Sequence, residues 1–301
     1  MKKVYIKKYK SGAGKWIYQG YHSAWQSLGY DVEYYQNLSH INPDEDYYVM
    51  ASDADISSFN INRIKDAEKS FVYVQPNRYP IPWGTHSNFV SECPVDIVRK
   101  LNSFNNTYLW NFASSFPYHT MWSNVSSIPL AFDSINYKSF NKPPDRYLND
   151  IVFIGGRANN GFDEKIYIMK EMLDAFVQSG LRCAFYVDRN IFHDKENELL
   201  LTSKVSLNIH DAYQRQLGLD TNERTFKSIG INGLLVSDDV DQVTNLFSNV
   251  YTSNEPKDLI AKVKEYCSFD DKTLSRMKRE NIQNVLDNHT YVERVKRMLN
   301  G

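Results

Sequence analysis

The chain has 301 residues, 42% of them hydrophobic and 24% charged, with a formal net charge of −1. That length predicts about two domains and the composition fits a soluble globular protein. The charge supplies no global positive field to favour nucleic acid. Cys93, Cys183 and Cys267 are far apart and odd in number, which argues against a disulfide framework and against a clustered zinc site. The opening Met-Lys-Lys-Val-Tyr-Ile-Lys-Lys lacks the apolar run of a signal peptide, and no stretch approaches ~18 consecutive apolar residues. The cytoplasm is the expected location, with peripheral membrane contact and oligomeric state left open.

In chain order, Val4-Tyr5-Ile6 forms the core of a first strand, followed by a glycine turn from Ser11 to Gly14. A helix is expected from Trp16 to Leu28, with Ile17, Gly20, Tyr21, Ala24 and Leu28 on one side. Gly29 stops it and Asp31 to Tyr35 is a second strand. This βαβ unit implies parallel strands and a Rossmann-like start. Asp46 to Met50 reads as a strand ending in Ala51-Ser-Asp-Ala-Asp55, Ile61 to Ser70 as a helix and Phe71 to Val74 as a strand. Gln75 to Gly84 is rich in turn residues, and the polar stretch Ser134 to Asn149 reads as a linker. Asp150-Ile-Val-Phe-Ile-Gly-Gly156 then restarts the pattern with a strand and a glycine turn. Lys165 to Ser179 is a helix with apolar Ile166, Met169, Met172, Leu173 and Phe176. Strands follow at Arg182 to Val187 and Val205 to Ile209, then a loop from His210 to Asp220. Asp258 to Tyr266 and much of Leu274 to Leu299 are helical.

The most informative segment runs from Thr221 to Asp238. Asn222 and Thr221 can cap a helix, and Glu223 sits in its first turn, where a carboxylate suits the positive helix end. Gly230, Asn232 and Gly233 end that helix and Leu234-Leu235-Val236 is a short apolar strand. The helix therefore starts at the carboxyl edge of a sheet with Arg224, Thr225 and Lys227 near its amino end, a place that attracts phosphates. Gly155-Gly156-Arg157 is a second anion candidate. The turn lets backbone amides approach a pyrophosphate, and Arg157 can pair with its oxygens. The GxGxxG pattern is not met, so NAD has little support. Gly-Ala-Gly-Lys15 is followed by Trp16 where a P-loop needs Ser or Thr, so an ATPase is rejected.

The same residues resemble the GT-B glycosyltransferases, in particular the CgeB-like group with its Arg-x-Phe-Glu donor motif. Ile128-Pro-Leu-Ala-Phe-Asp133, Ile151 to Arg157, Val205 to His210, Arg224-Thr-Phe-Lys227 and His289-Thr-Tyr-Val-Glu-Arg294 follow the family's order. The resemblance covers the second half well and the first half loosely. It implies an α/β fold of two Rossmann-like domains facing across a cleft, with a C-terminal helix crossing back to the first. The expected bounds are 1–135 for the acceptor domain, 136–149 for the linker, 150–285 for the donor domain and 286–301 for the last helix. Lys227 stands where the family carries a glutamate that hydrogen-bonds the donor ribose, and a lysine cannot accept those bonds. Glu223, Asp238 or Asp239 are the candidate substitutes, unless the ribose is held differently.

The expected function is transfer of a sugar from a UDP-, GDP- or dTDP-linked donor to a carbohydrate-type acceptor hydroxyl. No cofactor, metal or nucleic acid is expected, and retention is favoured over inversion. Donor-side candidates besides those above are His210, just past a strand end, and Tyr186 and Asp188 at the end of another strand. On the acceptor side, Gly12, Gly14 and Asp55 would line the site. Asp53, His22 and His210 are the catalytic candidates, Asp53 being the best placed to take the acceptor's proton. Asp53-Ala-Asp55 also matches the Asp-x-Asp metal motif of GT-A transferases, but it lies in the wrong half of the chain for a donor domain. The alternatives are a non-catalytic nucleotide-sugar-binding or coat-associated member, favoured by Lys227, and a DNA-modifying sugar transferase, disfavoured by the net charge.

Overall fold

The computed structural model describes residues 2–9, 12–74, 95–114, 122, 124–157, 164–191 and 193–300. The stretch Gln75 to Gly84, Ser11 and Cys93 lie outside the described residues. The chain forms two compact units, Met1–Pro129 with Tyr291–Gly301, and Leu130–Thr290.

The first unit is a six-stranded parallel sheet of β1 (Lys3–Lys7), β2 (Asp31–Tyr35), β3 (Tyr47–Ser52), β4 (Lys69–Tyr73), β5 (Thr107–Asn111) and β6 (Val125–Ser127), in the order β2-β1-β3-β4-β5-β6. Its helices are α1 (Gly12–Ser27), α2 (Asn62–Asp66) and α3 (Val95–Asn102). Lys3 pairs with Asp31 on one side and Tyr47 on the other, which makes β1 an interior strand, one in from the edge. β3 is buried along its whole length, as a central parallel strand should be. One difference from the sequence reading is the start of α1, which begins at Gly12 rather than Trp16. Gly12 opens the helix at φ +69°, and a Cβ on Gly14 would press on the Tyr9 ring, so the glycines serve a helix start rather than a free turn. The helix expected over Ile61 to Ser70 is only the short α2, because Lys69 and Ser70 join the sheet beside Tyr48 and Val49.

The second unit is a five-stranded parallel sheet of β7 (Asn149–Gly155), β8 (Cys183–Val187), β9 (Ser203–Asn208), β10 (Leu235–Ser237) and β11 (Tyr251–Thr252), in the order β11-β10-β9-β7-β8. It carries α4 (Glu164–Gln178), α5 (His193–Leu201), α6 (Ala212–Leu217), α7 (Glu223–Asn232), α8 (Asp241–Leu246), α9 (Pro256–Ser268) and α10 (Asp271–Asn288). Ile151, Phe153, Val205, Leu207 and Val236 form its core with Met169, Met172 and Phe176 of α4. The stretch 134–149 is fastened to this unit: the Tyr137 hydroxyl donates to Glu196, and Phe140 N donates to the carbonyl of Ile231.

The last helix, α11 (Tyr291–Asn300), is grouped with the first unit and packs on α1. Gly20 makes room for it, since a Cβ there would overlap the Tyr291 ring, and Tyr21 lies 4.8 Å from that ring. Arg294, 1% exposed, donates from Nε to the Pro129 carbonyl at 2.8 Å. The His-Thr-Tyr-x-x-Arg pattern is therefore the joint that breaks α10, whose capping residue is His289, and starts α11.

Candidate functional site

In both sheets the chain leaves the first strand toward one neighbour and later returns on the other side. In the second sheet this switch falls between β7 and β9, and open parallel sheets bind ligands outside the carboxyl ends of such strands. Gly155 ends β7, and Gly156 and Arg157 follow it; Asn208 ends β9, and Ile209 to Asp211 follow it. α7 begins beside them, its Asn222 cap accepting the Thr225 backbone N–H.

Arg224 joins these ends. Its Nε donates to the Ile154 carbonyl at 2.8 Å, and Nη1 donates to Asn208 Oδ1 at 2.9 Å and to the Ile209 carbonyl at 3.2 Å. The guanidinium also lies 4.9 Å over the Phe153 ring. A Cβ on Gly155 would overlap Nη2, so that glycine exists to admit the arginine. Nη2 has no hydrogen bond among the described residues and points a charged donor past Gly155. Burial lowers the Arg224 pKa from its ordinary value, with Asp211, Glu223, Glu196 and Asp238 opposing the shift. An arginine stays protonated regardless.

A second buried cation escaped the sequence reading. Lys165, in the first turn of α4, forms an ion pair with Asp211, and burial lowers its pKa against Asp211's attraction. The signal was available: Lys165, Met169, Met172 and Phe176 make one buried stripe, and a lysine on an apolar stripe needs a partner.

His210 is wholly enclosed, at 0% exposure. Its Nδ1 lies 2.6 Å from Asp238 Oδ1, its backbone N–H donates to Asp238 Oδ2 at 2.9 Å, and Nε2 lies 2.6 Å from Thr221 Oγ1. Burial alone would raise the Asp238 pKa; His210 and Arg215 outweigh it and hold the carboxyl below its ordinary range. Thr221 continues to Thr225 at 2.6 Å, and Asn208 donates to Thr225 at 2.8 Å while its other amide atom receives Arg224. The histidine thus stands at the inner end of a hydrogen-bonded chain that terminates on Arg224.

Lys227 does not reach the crevice as a free cation. Its ammonium lies 2.7 Å from Glu196 and 3.4 Å from Glu223, and all three side chains are largely buried. Burial raises the Glu223 pKa, an effect Lys227 counters; burial would lower that of Lys227, but Glu223 and Glu196 prevail and raise it. Glu196 comes from α5 and was not visible as a partner in the sequence. Arg157 folds back onto Asp188, its backbone N–H donating to Oδ1 at 2.8 Å and its Nε to Oδ2 at 2.7 Å. Arg157's hydrogen bonds lower the Asp188 pKa, and Asp188 sits at φ 52°. Tyr186, partly buried, pairs with Ile154 in the strand register, which sets it beside the end of β7.

The remaining candidates lie in the first unit. Asp53 is fully buried and opens a 3₁₀ turn capped by Ser52, and Asp55 closes that turn with Oδ1 2.7 Å from Lys7 Nζ. His22, half-buried, stacks on Tyr34 at 4.4 Å, and burial lowers its pKa. Among the described residues no three His, Cys, Asp or Glu side chains gather into a cation site, and no helix is long and apolar enough to cross a membrane.

Two Rossmann-like parallel sheets, the second with an arginine and helix amino end at its switch point, are the architecture of a GT-B transferase. Residues 166–300 match the family described as "Glycosyl transferase-like". Among solved structures, the chain is similar to BGT of T4 phage, crystallised with UDP and Mn²⁺, at 12% identity and a TM-score of 0.60, covering 100% of this chain and 98% of that one. It is similar to an α-glucosyltransferase in complex with UDP and a 13-mer DNA, at 10% identity and 0.57, covering 99% and 98%. AviGT4, a glycosyltransferase of avilamycin A biosynthesis, aligns at 12% identity and 0.51 over 100% and 99%. No curated protein sequence matches at a significant level. The glycosyl transferase-like match covers under half of the chain, and the fold over its whole length is that of the GT-B structures.

Proposed function

We propose that the second unit holds a nucleotide-diphosphate sugar at the carboxyl ends of β7 and β9, and that the protein transfers its sugar to an acceptor hydroxyl without a metal ion. The acceptor oxygen bonds to the anomeric carbon, the bond from that carbon to the diphosphate breaks, and the hydroxyl proton leaves with the diphosphate or to a nearby base. The observation that carries this reading is the Arg224 Nη2 in the first turn of α7 beside Gly155, which has no hydrogen bond among the described residues. A charged donor there opposes the negative charge that grows on the departing diphosphate, the largest electrostatic demand of the step. Amides of the Gly155-Gly156-Arg157 turn add to it. His210 is a positioning residue in this scheme, acting on Arg224 through Thr221, Thr225 and Asn208. Asp238 is enclosed, which leaves Glu223 and Asp239 as the carboxylates to accept a ribose hydroxyl in place of the family glutamate. UDP, found in two of the similar structures, is the first nucleotide to test. Retention and the CgeB-like grouping rest on the sequence motifs.

A DNA acceptor is the second reading, since the similar α-glucosyltransferase was crystallised with DNA. The lysine-rich first strand speaks against it. Lys2 pairs with Glu68, Lys3 with Glu33 and Glu45, and Lys7 with Asp55, leaving those charges neutralised rather than presented to phosphates. The test is a melting-point screen with UDP, GDP, dTDP and CMP sugars, followed by a transfer assay on hydroxyl acceptors. A diphosphate ligand that binds the folded state raises the melting temperature. The expected result is a rise with one nucleoside-diphosphate sugar and turnover above background. Binding without turnover over a broad acceptor panel points to a non-catalytic member; no rise with any of them removes the donor reading.

A further inference from the structure

Lys227 lies one turn along α7 from Glu223, the residue before Arg224, and it is locked by carboxylates. Its ammonium stands 2.7 Å from Glu196 Oε1 and 3.4 Å from Glu223 Oε2. The second Glu196 oxygen, Oε2, accepts the Tyr137 hydroxyl at 3.0 Å, and the Tyr137 ring lies 5.7 Å from the ammonium. The stretch before β7, α5 and α7 thus close together on one cation. Tyr137, Glu196 and Lys227 are buried, while Glu223 is only partly so. Both oxygens of Glu196 and one of Glu223 are engaged, and Glu223 Oε1 has no hydrogen bond among the described residues.

A ribose presents two adjacent hydroxyls, and a free carboxylate has two oxygens with which to accept both. In Glu223 one of the two is taken by Lys227. The neighbouring carboxylates do not make up the loss. Asp211 is bound to Lys165 and Asp238 to His210, and Asp239 follows β10, which β9 separates from β7. Lys227 is spent on its two carboxylates, and an ammonium accepts nothing. The amino end of α7 therefore offers one acceptor atom beside Arg224. A hydroxyl with no partner in a site gains nothing by being present, whereas one the site is built to bond is missed when it is absent. The ribose hydroxyl nearest the diphosphate is the 3′, because its carbon adjoins the one that carries the 5′ carbon.

We propose that the protein reads a single nucleoside hydroxyl, the 3′, through Glu223 Oε1, and takes 2′-deoxyribonucleoside diphosphate sugars as readily as ribonucleoside ones. Lys227 sets this tolerance by occupying the Glu223 oxygen that a 2′-hydroxyl would need, and Glu196 and Tyr137 hold it there. The inference rests on the donor reading above and names its nucleotide class.

Calorimetry on the full chain with UDP, 2′-deoxy-UDP and 3′-deoxy-UDP tests this. The wild type binds UDP and 2′-deoxy-UDP within about threefold of each other, and 3′-deoxy-UDP about tenfold more weakly than UDP. Glu223→Ala leaves Lys227 and Glu196 as a balanced pair, so the variant melts close to the wild type. It binds UDP about tenfold more weakly than the wild type does and no longer separates UDP from 3′-deoxy-UDP. The ligand series on the wild type decides the proposal without the variant. A larger loss with 2′-deoxy-UDP overturns the inference and leaves the donor reading standing. So does 3′-deoxy-UDP bound as tightly as UDP, or a folded Glu223→Ala that still separates the two. Failure of all three nucleotides to bind removes the donor reading, and the inference with it.

Discussion

The two sheets are wound alike, with the first strand one in from the edge and the switch point beside it, yet the side chains at their carboxyl edges differ. In the second unit the carboxyl edge gathers Arg224 and the amino end of α7, with Lys165 paired to Asp211. In the first unit it gathers Asp53, Asp55 and aromatic rings, and its Lys7 is neutralised. The winding decides where a ligand can sit, and the few side chains at the strand ends decide what kind.

The comparison can be broken at the ion triad beneath the donor crevice. Lys227→Met leaves Glu196 and Glu223 buried without their cation, and loss of one partner from a buried charge group costs about 3–5 kcal/mol. Urea unfolding checks it; a change below about 1 kcal/mol means the triad is solvated.

A pH test follows from Asp220, buried in the loop before α7, where it accepts from Tyr213 and Gln214. Burial pushes its pKa up from 3.8 to about 6. The folded protein therefore holds this proton more tightly than the unfolded chain. The resulting stability is present below the unfolded pKa and is lost as pH rises through about 6, on the order of 2–3 kcal/mol. Asp220→Asn removes that loss, so its stability relative to wild type is greater at pH 7.5 than at pH 4.5. Equal differences at the two pH values contradict the assignment.

Gly155→Ala sharpens the contrast between the crevices by displacing Arg224 while keeping its charge. About a tenfold loss of UDP affinity is expected. The smallest effect belongs to Lys7→Met: UDP affinity stays within about twofold of wild type, because an ion-paired lysine in the other sheet contributes no phosphate contact. A larger loss would place Lys7 at the donor.

Much of this was legible in the chain. The repeated βαβ pattern, the strands at Val4 and Ile151, and the capped helix at Asn222 are local features, and local periodicity and capping chemistry carry them. The start of α1 was not, because glycines at 12 and 14 read as a turn until Tyr9 is seen packed on the second. Within the site, Arg224 and Gly155 were both visible, but their interlock joins residues about 70 positions apart. The partnerships of Lys165 with Asp211, His210 with Asp238 and Lys227 with Glu196 are likewise products of tertiary packing. Residue type shows that each charge needs a partner, and only the fold says which.

The central claim is that Arg224 grips a diphosphate. Calorimetry of UDP against uridine, on wild type and Arg224→Ala, reads it most directly. The account predicts that UDP binds the wild type at least tenfold more tightly than uridine and that this preference disappears in the variant. A variant that keeps the full preference for UDP would contradict it.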